Sequence, residues 1–343
     1  MAAGANSKVL DNNVAVMLRN LWWFVRLMRP SHQMALVLIF LSVRYGIVRP
    51  WLAAHALTDP LTAGHFLLVL LGGLLLSCGA VLINDYFDWH DDRIARPENV
   101  IVGRHFSRGA VILWHGILTS LGVLLLCIEA FFLKSYYLIL LFPFVARLLW
   151  YYSKLYKQRF WLGAPLLFIF LFSVPLLPLL FEFRAIDQML WKELSVNSLS
   201  VLDFLFVGML YALFVSLLGV LRAFEKQIIY YAQRTSLRTE TLPDRFGLQL
   251  AKMTVLTLKI LLLLLVFFVL VLLTIRGDGA SSLSSLFSLL YLVLFVGIFL
   301  VISTIIGVRN SENAPRIARF FTTLAALFVV LYPLVRAALL QIA

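Results

Sequence analysis

Long apolar runs separated by short basic loops organise the chain. Nine of these runs have roughly the 17–25 residues that a helix needs to cross a bilayer. They are Ser31–Val48, His65–Asn84, Ala110–Leu133, Tyr136–Tyr152, Phe160–Phe181, Val201–Leu221, Leu250–Ile275, Ser284–Gly307 and Ile317–Gln341. Ahead of them, residues 15–28 alternate apolar pairs with Arg19 and Arg26 and carry Trp22 and Trp23. That pattern predicts a helix lying in the membrane interface, ended by Arg29-Pro30. Residues 1–20 lack the basic, apolar, small-residue order of a cleavable signal. The predicted organisation is an N-terminal cytoplasmic or interfacial segment, 1–30, and one membrane domain, 31–343. Glu182–Ser200, with Trp191, is predicted as the longest outside loop, and Gly277–Ser285 as a flexible serine-rich turn.

Composition agrees with the runs. Of 343 residues, 62% are hydrophobic and 13% charged, about half the charge of a soluble domain. The alternation of a barrel is absent, so the fold class is an all-α polytopic membrane protein. The net charge of +12 would suit nucleic acid in a soluble chain. Here it reads as basic cytoplasmic loops beside anionic lipid, and nucleic acid is excluded as a partner. With the N-terminus inside, twenty Lys and Arg fall on inside segments, seven on outside segments and two, Arg147 and Lys259, within spans. The expected topology is multi-pass, N-terminus cytoplasmic, C-terminus outside. Cys78 and Cys127 sit in apolar runs without ligand spacing and are expected as small core residues. His115 is expected as a hydrogen-bonded core residue. Arg147 is expected to snorkel or to line a cavity, and Lys259 to snorkel. No acid is expected within the core of any span.

One stretch breaks the apolar pattern with chemistry. Residues 84–107, NDYFDWHDDRIARPENVIVGRHFS, follow the second run directly. At about 100° per residue, Asn84, Asp85, Asp88, Asp91 and Asp92 share one helical arc of roughly 120°. Of these five only Asp92 has a base four residues on, Arg96, so the face as a whole is not neutralised at that spacing. The bases come later instead, at Arg93, Arg96, Arg104 and Arg108. A solvated acidic helix end would account for the acids alone. Acids on one face followed by arginines read better as a platform for a metal-bound phosphate. Mg²⁺ suits it, because that ion takes oxygen ligands and keeps substrate phosphates among them.

The stretch resembles the first aspartate-rich motif of the UbiA-type intramembrane prenyltransferases, N-D-x-x-D-x-x-x-D followed by R-P. Asn84, Asp85, Asp88 and Asp92, then Arg96-Pro97 and Ser107, carry the resemblance. It implies a nine-helix bundle around a central cavity, Mg²⁺ on Asp85, Asp88 and Asp92, and Asn84 and Arg96 at the substrate. Tyr152-Ser153 to Lys157 is similar to the family's Y-S-x-x-L-K, which implies that Lys157, or next Lys154, points to the diphosphate. Arg104 stands where members carry a small glycine, and Gly163-Ala164 departs from the family's G-N.

The larger departure lies after the sixth run. Thr241-Leu242-Pro243 and Gly247 resemble the family's T-L-P-x-x-x-G, and Arg222 and Lys226 match its basic positions. Counting back, the second acidic motif should fall near 227, 230 and 234, where this chain has Gln227, Tyr230 and Arg234. Three readings compete. Lys226, Arg234 and Arg238 replace the second metal cluster, since arginine grips phosphate through a bidentate fork. Or Glu225, Glu240 or Asp244 stands in for the missing acids. Or the fold is kept and prenyl transfer is lost. The resemblance implies Mg²⁺-dependent transfer from a polyprenyl diphosphate to a membrane-soluble lipid or aromatic acceptor. The alternative is a non-catalytic protein that binds a lipid phosphate or quinone, or scaffolds a membrane complex.

Overall fold

The computed structural model describes residues 16–95, 97–193, 198–231, 240–275, 290–308 and 313–342. Among them the only β pairing is a single bridge between Val102 and Phe106. Helix α1 spans 16–27. Arg29 then takes a left-handed turn, φ 52°, and Pro30 opens α2, where its missing N–H has no partner to lose. Helix α2 runs Pro30–Ala54, through a π-helical stretch at Ser42–Val48. There follow α3 (Ala63–Ala95), α4 (Arg108–Phe132), α5 (Tyr136–Lys154), α6 (Phe160–Glu193), α7 (Ser198–Tyr230), the short α8 (Leu242–Phe246) and α9 (Leu248–Ile275). A π-turn at Leu292–Gly297 leads into Ile298–Val308, together α10, and α11 is Ala314–Ile342.

Among the described residues, eight helices are long and apolar enough to cross a membrane. The predicted run Ser284–Gly307 is described only as the shorter apolar helix Leu292–Gly307, its start lying outside the described residues. So does the predicted turn Gly277–Ser285. The predicted loop Glu182–Ser200 is a correction. Helix α6 continues to Glu193, and α7 begins at Ser198. Outward-facing Leu113, Leu140 and Phe267 are all more than 60% exposed, as expected where the surrounding solvent is lipid.

Close backbone approach sets the α3–α4 pair. A Cβ on Gly122 would lie 2.7 Å from the Leu76 nitrogen, and one on Gly79 would lie 2.2 Å from Thr119 Oγ1. Small residues at a helix crossing replace the hydrophobic drive that lipid removes. The two helices therefore form a rigid support for the acid-bearing end of α3. Prolines inside spans have partners of their own. Cys127 Sγ donates to the Ile139 carbonyl at 3.6 Å, the acceptor that Pro143 cannot serve. Ser42 and Tyr211 both donate to the Val330 carbonyl, at 2.6 and 3.2 Å, and so tie α2 and α7 to α11 beside Pro333.

Buried charge overturns one expectation. Spans do hold acids. Glu182 takes the buried guanidinium of Arg44, which also bonds Asp59 at 2.8 Å and the Leu61 carbonyl at 2.6 Å. Glu129 accepts from His65 Nδ1 at 2.8 Å. Lys259 does not snorkel. Its ammonium meets Glu225 at 2.9 Å with the two side chains 2% and 4% exposed, and also donates to the Ser303 carbonyl. The Thr322 hydroxyl donates to the same Glu225 carboxylate at 2.8 Å. The pairs Arg44–Glu182, His65–Glu129 and Lys259–Glu225 each join different helices and lie far apart in sequence, so no local pattern announces them.

Candidate phosphate site at the end of the bundle

Helix α3 runs past its apolar part without a break, so the acidic face is carried rigidly beyond the core. Two of its acids are neutralised, by groups from outside α3. Arg29, at the α1–α2 corner, donates to Asp85 at 2.5 Å. Lys157, just beyond α5, reaches Asp88 and donates to Asn84 Oδ1 at 2.9 Å. Asn84 in turn donates to Asp88 at 2.8 Å. Charge-assisted bonds of this kind are among the stronger ones available. Lys157 is only 11% exposed. Lys154, the alternative, is exposed and its side chain stays outside this group.

A cavity of about 300 Å³ opens beside these residues, lined by Arg26, Arg29, His32, Asp85, Trp89, Asp92, Lys226 and residues 100–102. Three of the predicted site residues, Asp85, Asp92 and Lys226, thus meet in one space. Asp88 and Lys157 lie against Asn84 on the same end of α3. Arg96, Arg234 and Arg238 fall outside the described residues. Arg26, Arg29, His32 and Trp89 were not among the predicted residues. The Arg29-Pro30 dipeptide was the one local hint, and nothing marks His32 or Arg26 in the sequence.

The loop after α3 is shaped to close this space. Gly103 has φ +81°, and a Cβ there would lie 2.5 Å from Trp89 Nε1, so glycine alone fits. Arg108 sits over the rings of Tyr86 and Trp89, 4.6 and 5.1 Å from their centroids. Arg104 does not line the cavity; it is exposed beside His105. Trp23 of α1 stacks on His105 with centroids 3.7 Å apart, and Phe24 packs on Trp114 at 4.9 Å. Desolvation, and then the charges of Arg104, Arg19 and Arg26, hold the His105 pKa below the ordinary histidine value. Both effects favour the neutral ring, and the Trp23–His105 stack docks α1 on this loop.

Across the site, α7 presents Lys226 to the cavity, while the neighbouring Glu225 turns away to Lys259. Gln227, at a position expected to be acidic, accepts from the Leu242 N–H at 3.0 Å and so holds the start of α8. Asp244 accepts from the Thr241 N–H at 2.9 Å, a helix cap. Gly247, φ +81°, ends that short helix. Glu240 bonds Arg245 at 3.2 Å and the Phe160 N–H at 3.4 Å. Glu225, Glu240 and Asp244 all serve local structure, and none lines the cavity.

Among the described residues no three His, Cys, Asp or Glu side chains gather to hold a metal. A closed protein cage is therefore not what the donors form. Mg²⁺ commonly needs only one or two carboxylates, with phosphates and waters for the rest. Asp85 and Asp92, facing one cavity, fit an ion of that kind arriving with a phosphate.

Comparison with known proteins follows the same lines. The UbiA prenyltransferase family model matches residues 45–325. A digeranylgeranylglyceryl phosphate synthase structure superposes with a TM-score of 0.58 at 17% identity, covering 93% of this chain and 99% of the other. The apo structure of a UbiA homologue from Aeropyrum pernix K1 gives 0.53 at 17% identity, covering 92% and 98%. No curated protein sequence matches the chain.

Proposed function

The chain belongs to the UbiA prenyltransferase family, and on that footing we propose that it transfers a prenyl group from a polyprenyl diphosphate to a lipid or aromatic acceptor within the membrane. The observation that carries this is the assembly of Arg26, Arg29 and Lys226 around Asp85 and Asp92 in one cavity, with Lys157 delivered onto Asp88 beside it. Cations from three separate parts of the chain converge on one end of the bundle, next to its apolar interior. The basic bias of the loops supports a cytoplasmic position for that end.

In this reading the diphosphate lies in the cavity and its tail runs among the spans. Arg29, Arg26 and Lys226 bind the phosphate oxygens. When the allylic C–O bond breaks, both electrons leave with the diphosphate, and these cations stabilise the charge that develops there. Mg²⁺, held by Asp85 and Asp92 with Asp88 alongside, would add Lewis-acid neutralisation of the same oxygens. Lys157 and Asn84 orient Asp88. Trp89 closes one wall. The allylic carbon then bonds to a nucleophilic atom of the acceptor, which gives up a proton.

A second reading is favoured by Gln227. Its side chain is spent on holding α8, so the second acidic cluster of an active member has no counterpart at that position. A protein so built would bind a lipid phosphate or quinone without turnover. Long-chain prenyl diphosphate binding to the purified protein, with Mg²⁺ and with EDTA, separates the two. Transfer predicts tight binding that needs Mg²⁺ and is lost in Asp88→Ala, together with acceptor-dependent diphosphate release. Binding indifferent to Mg²⁺ and to Asp88 would select the second reading.

A further inference from the structure

On the lipid-facing side, away from the phosphate cavity, α4 and α5 leave a groove of about 530 Å³ between them. Its apolar floor includes Val123, Leu124, Cys127 and Pro143, and Arg147 and Trp150 stand at one end. Arg147 is exposed on a helix whose surroundings are lipid. Its guanidinium donates to Tyr151 Oη at 3.0 Å and lies 4.8 Å over that ring. Both are neutral contacts. Among the described residues no carboxylate pairs with it. A full positive charge facing hydrocarbon needs an anion, and cationic pockets between helices are where anionic headgroups bind.

The groove also has a direction. Helix α4 starts, and α5 ends, at the acid-bearing end of the bundle. Arg147 precedes the last residue of α5 by seven positions, or about 10 Å. His115, which also lines the groove, is seven residues into α4 and so at the same depth. From His115 to Cys127 the groove extends about 18 Å further into the membrane. The cation and the aromatic Trp150 therefore sit nearest the interface, and the apolar floor runs inward. A phospholipid has this polarity, with phosphate outermost and chain below.

We propose that this groove is a binding site for an anionic phospholipid, the phosphate on Arg147 and one acyl chain along Val123, Leu124 and Cys127. Arginine suits the headgroup because its planar fork takes two phosphate oxygens at once. The site is independent of prenyl transfer and would be present in a catalytically silent protein.

Native mass spectrometry of the purified protein, given equal dioleoyl phosphatidylglycerol and dioleoyl phosphatidylcholine, tests it. The wild type should retain one phosphatidylglycerol in preference, by about tenfold, which corresponds to one charge-assisted phosphate contact. Arg147→Ala should abolish the preference, and so should Arg147→Gln, which keeps a donor for Tyr151. Arg316→Ala, an exposed arginine on α11, away from the groove, should leave it intact. Leu124→Trp, which fills the floor from the lipid side, should weaken retention of both lipids. Equal retention of the two lipids by the wild type would overturn the proposal. So would a preference that survives both Arg147 substitutions, or displacement of the lipid by free glycerol phosphate at equal concentration. A dimer that Leu124→Trp dissociates would mean that a second copy of the chain covers this face instead.

Discussion

The ends of α3 and α7 face the same cavity, yet they use their charge in opposite ways. At α3 the acids point into accessible space and meet cations brought from elsewhere, Arg29 to Asp85 and Lys157 to Asp88. At α7 the acid, Glu225, is turned into the bundle and closed off with Lys259, Thr322 and Ser303, while Lys226 faces the cavity. Exposure is what separates them. Asp88 is 25% exposed and its ion pair can exchange for a ligand, whereas Glu225 is 4% exposed and cannot. One helix end offers carboxylates to a ligand and the other offers only a base. Among the described residues, the acidic face of α3 stands across the cavity from Lys226 of α7.

The largest effect should come from breaking the α7 pair. Removing one partner strands a charge in a low-dielectric interior, at a cost of about 3–5 kcal/mol. Lys259→Met alone should therefore lower the thermal midpoint sharply in detergent. The double variant Glu225→Met, Lys259→Met should recover most of the loss, because an apolar pair of similar volume needs no desolvation. If the single variant unfolds like the wild type, the pair is not a structural closure, and Glu225 is free for the cavity after all.

Next comes Arg29, which tests the α3 side. Its guanidinium joins the α1–α2 corner to Asp85 and lines the cavity. Arg29→Ala should weaken prenyl diphosphate binding by about 1.5–3 kcal/mol, the worth of a hydrogen bond to a charged group. Calorimetric titration would read this as a roughly ten- to hundredfold loss. The melting temperature should fall far less than in Lys259→Met, since Arg29 is 36% exposed and its pairing is partly screened. An affinity unchanged within error would remove Arg29 from the ligand site and leave it as a hinge clasp.

Much of this was legible in the chain. Apolar length located the spans, because a bilayer imposes length more strictly than any soluble core does. The arc of Asn84, Asp85, Asp88 and Asp92 was legible because helical period alone decides it. Lys157 was found through the similarity of its surroundings to a known motif, not through spacing on a helix. What could not be read were pairings between helices. Lys259 looked like a snorkelling lysine because Glu225 is 34 residues away on another element. His32 reaches the cavity because the first turn of α2 opens beside the end of α3, and Arg26 only because α1 folds back over the loop after α3, held by Trp23 on His105. Nothing in residues 16–32 encodes where that helix will land. The end of α6 was misplaced for a related reason, since mixed charge after Phe181 looks like a loop until Glu182 is given Arg44.

The smallest predicted effect concerns how the loop on the α3 side is anchored. Ser107 closes the segment resembling the family's first motif, which invites a role at the substrate. Its hydroxyl instead accepts from the Ala110 N–H at 3.1 Å, at the start of α4. It is an N-cap, and residues 100–102 just before it line the cavity. Ser107→Ala should cost about 1 kcal/mol of stability, and Ser107→Asp should restore it, since aspartate caps equally well. Prenyl diphosphate affinity should be unmoved in the first variant. In the second it should fall slightly, as one more negative charge is placed near the anion. If Ser107→Ala instead loses affinity at unchanged stability, the hydroxyl belongs to the ligand, and the phosphate site extends along the whole loop from α3 to α4.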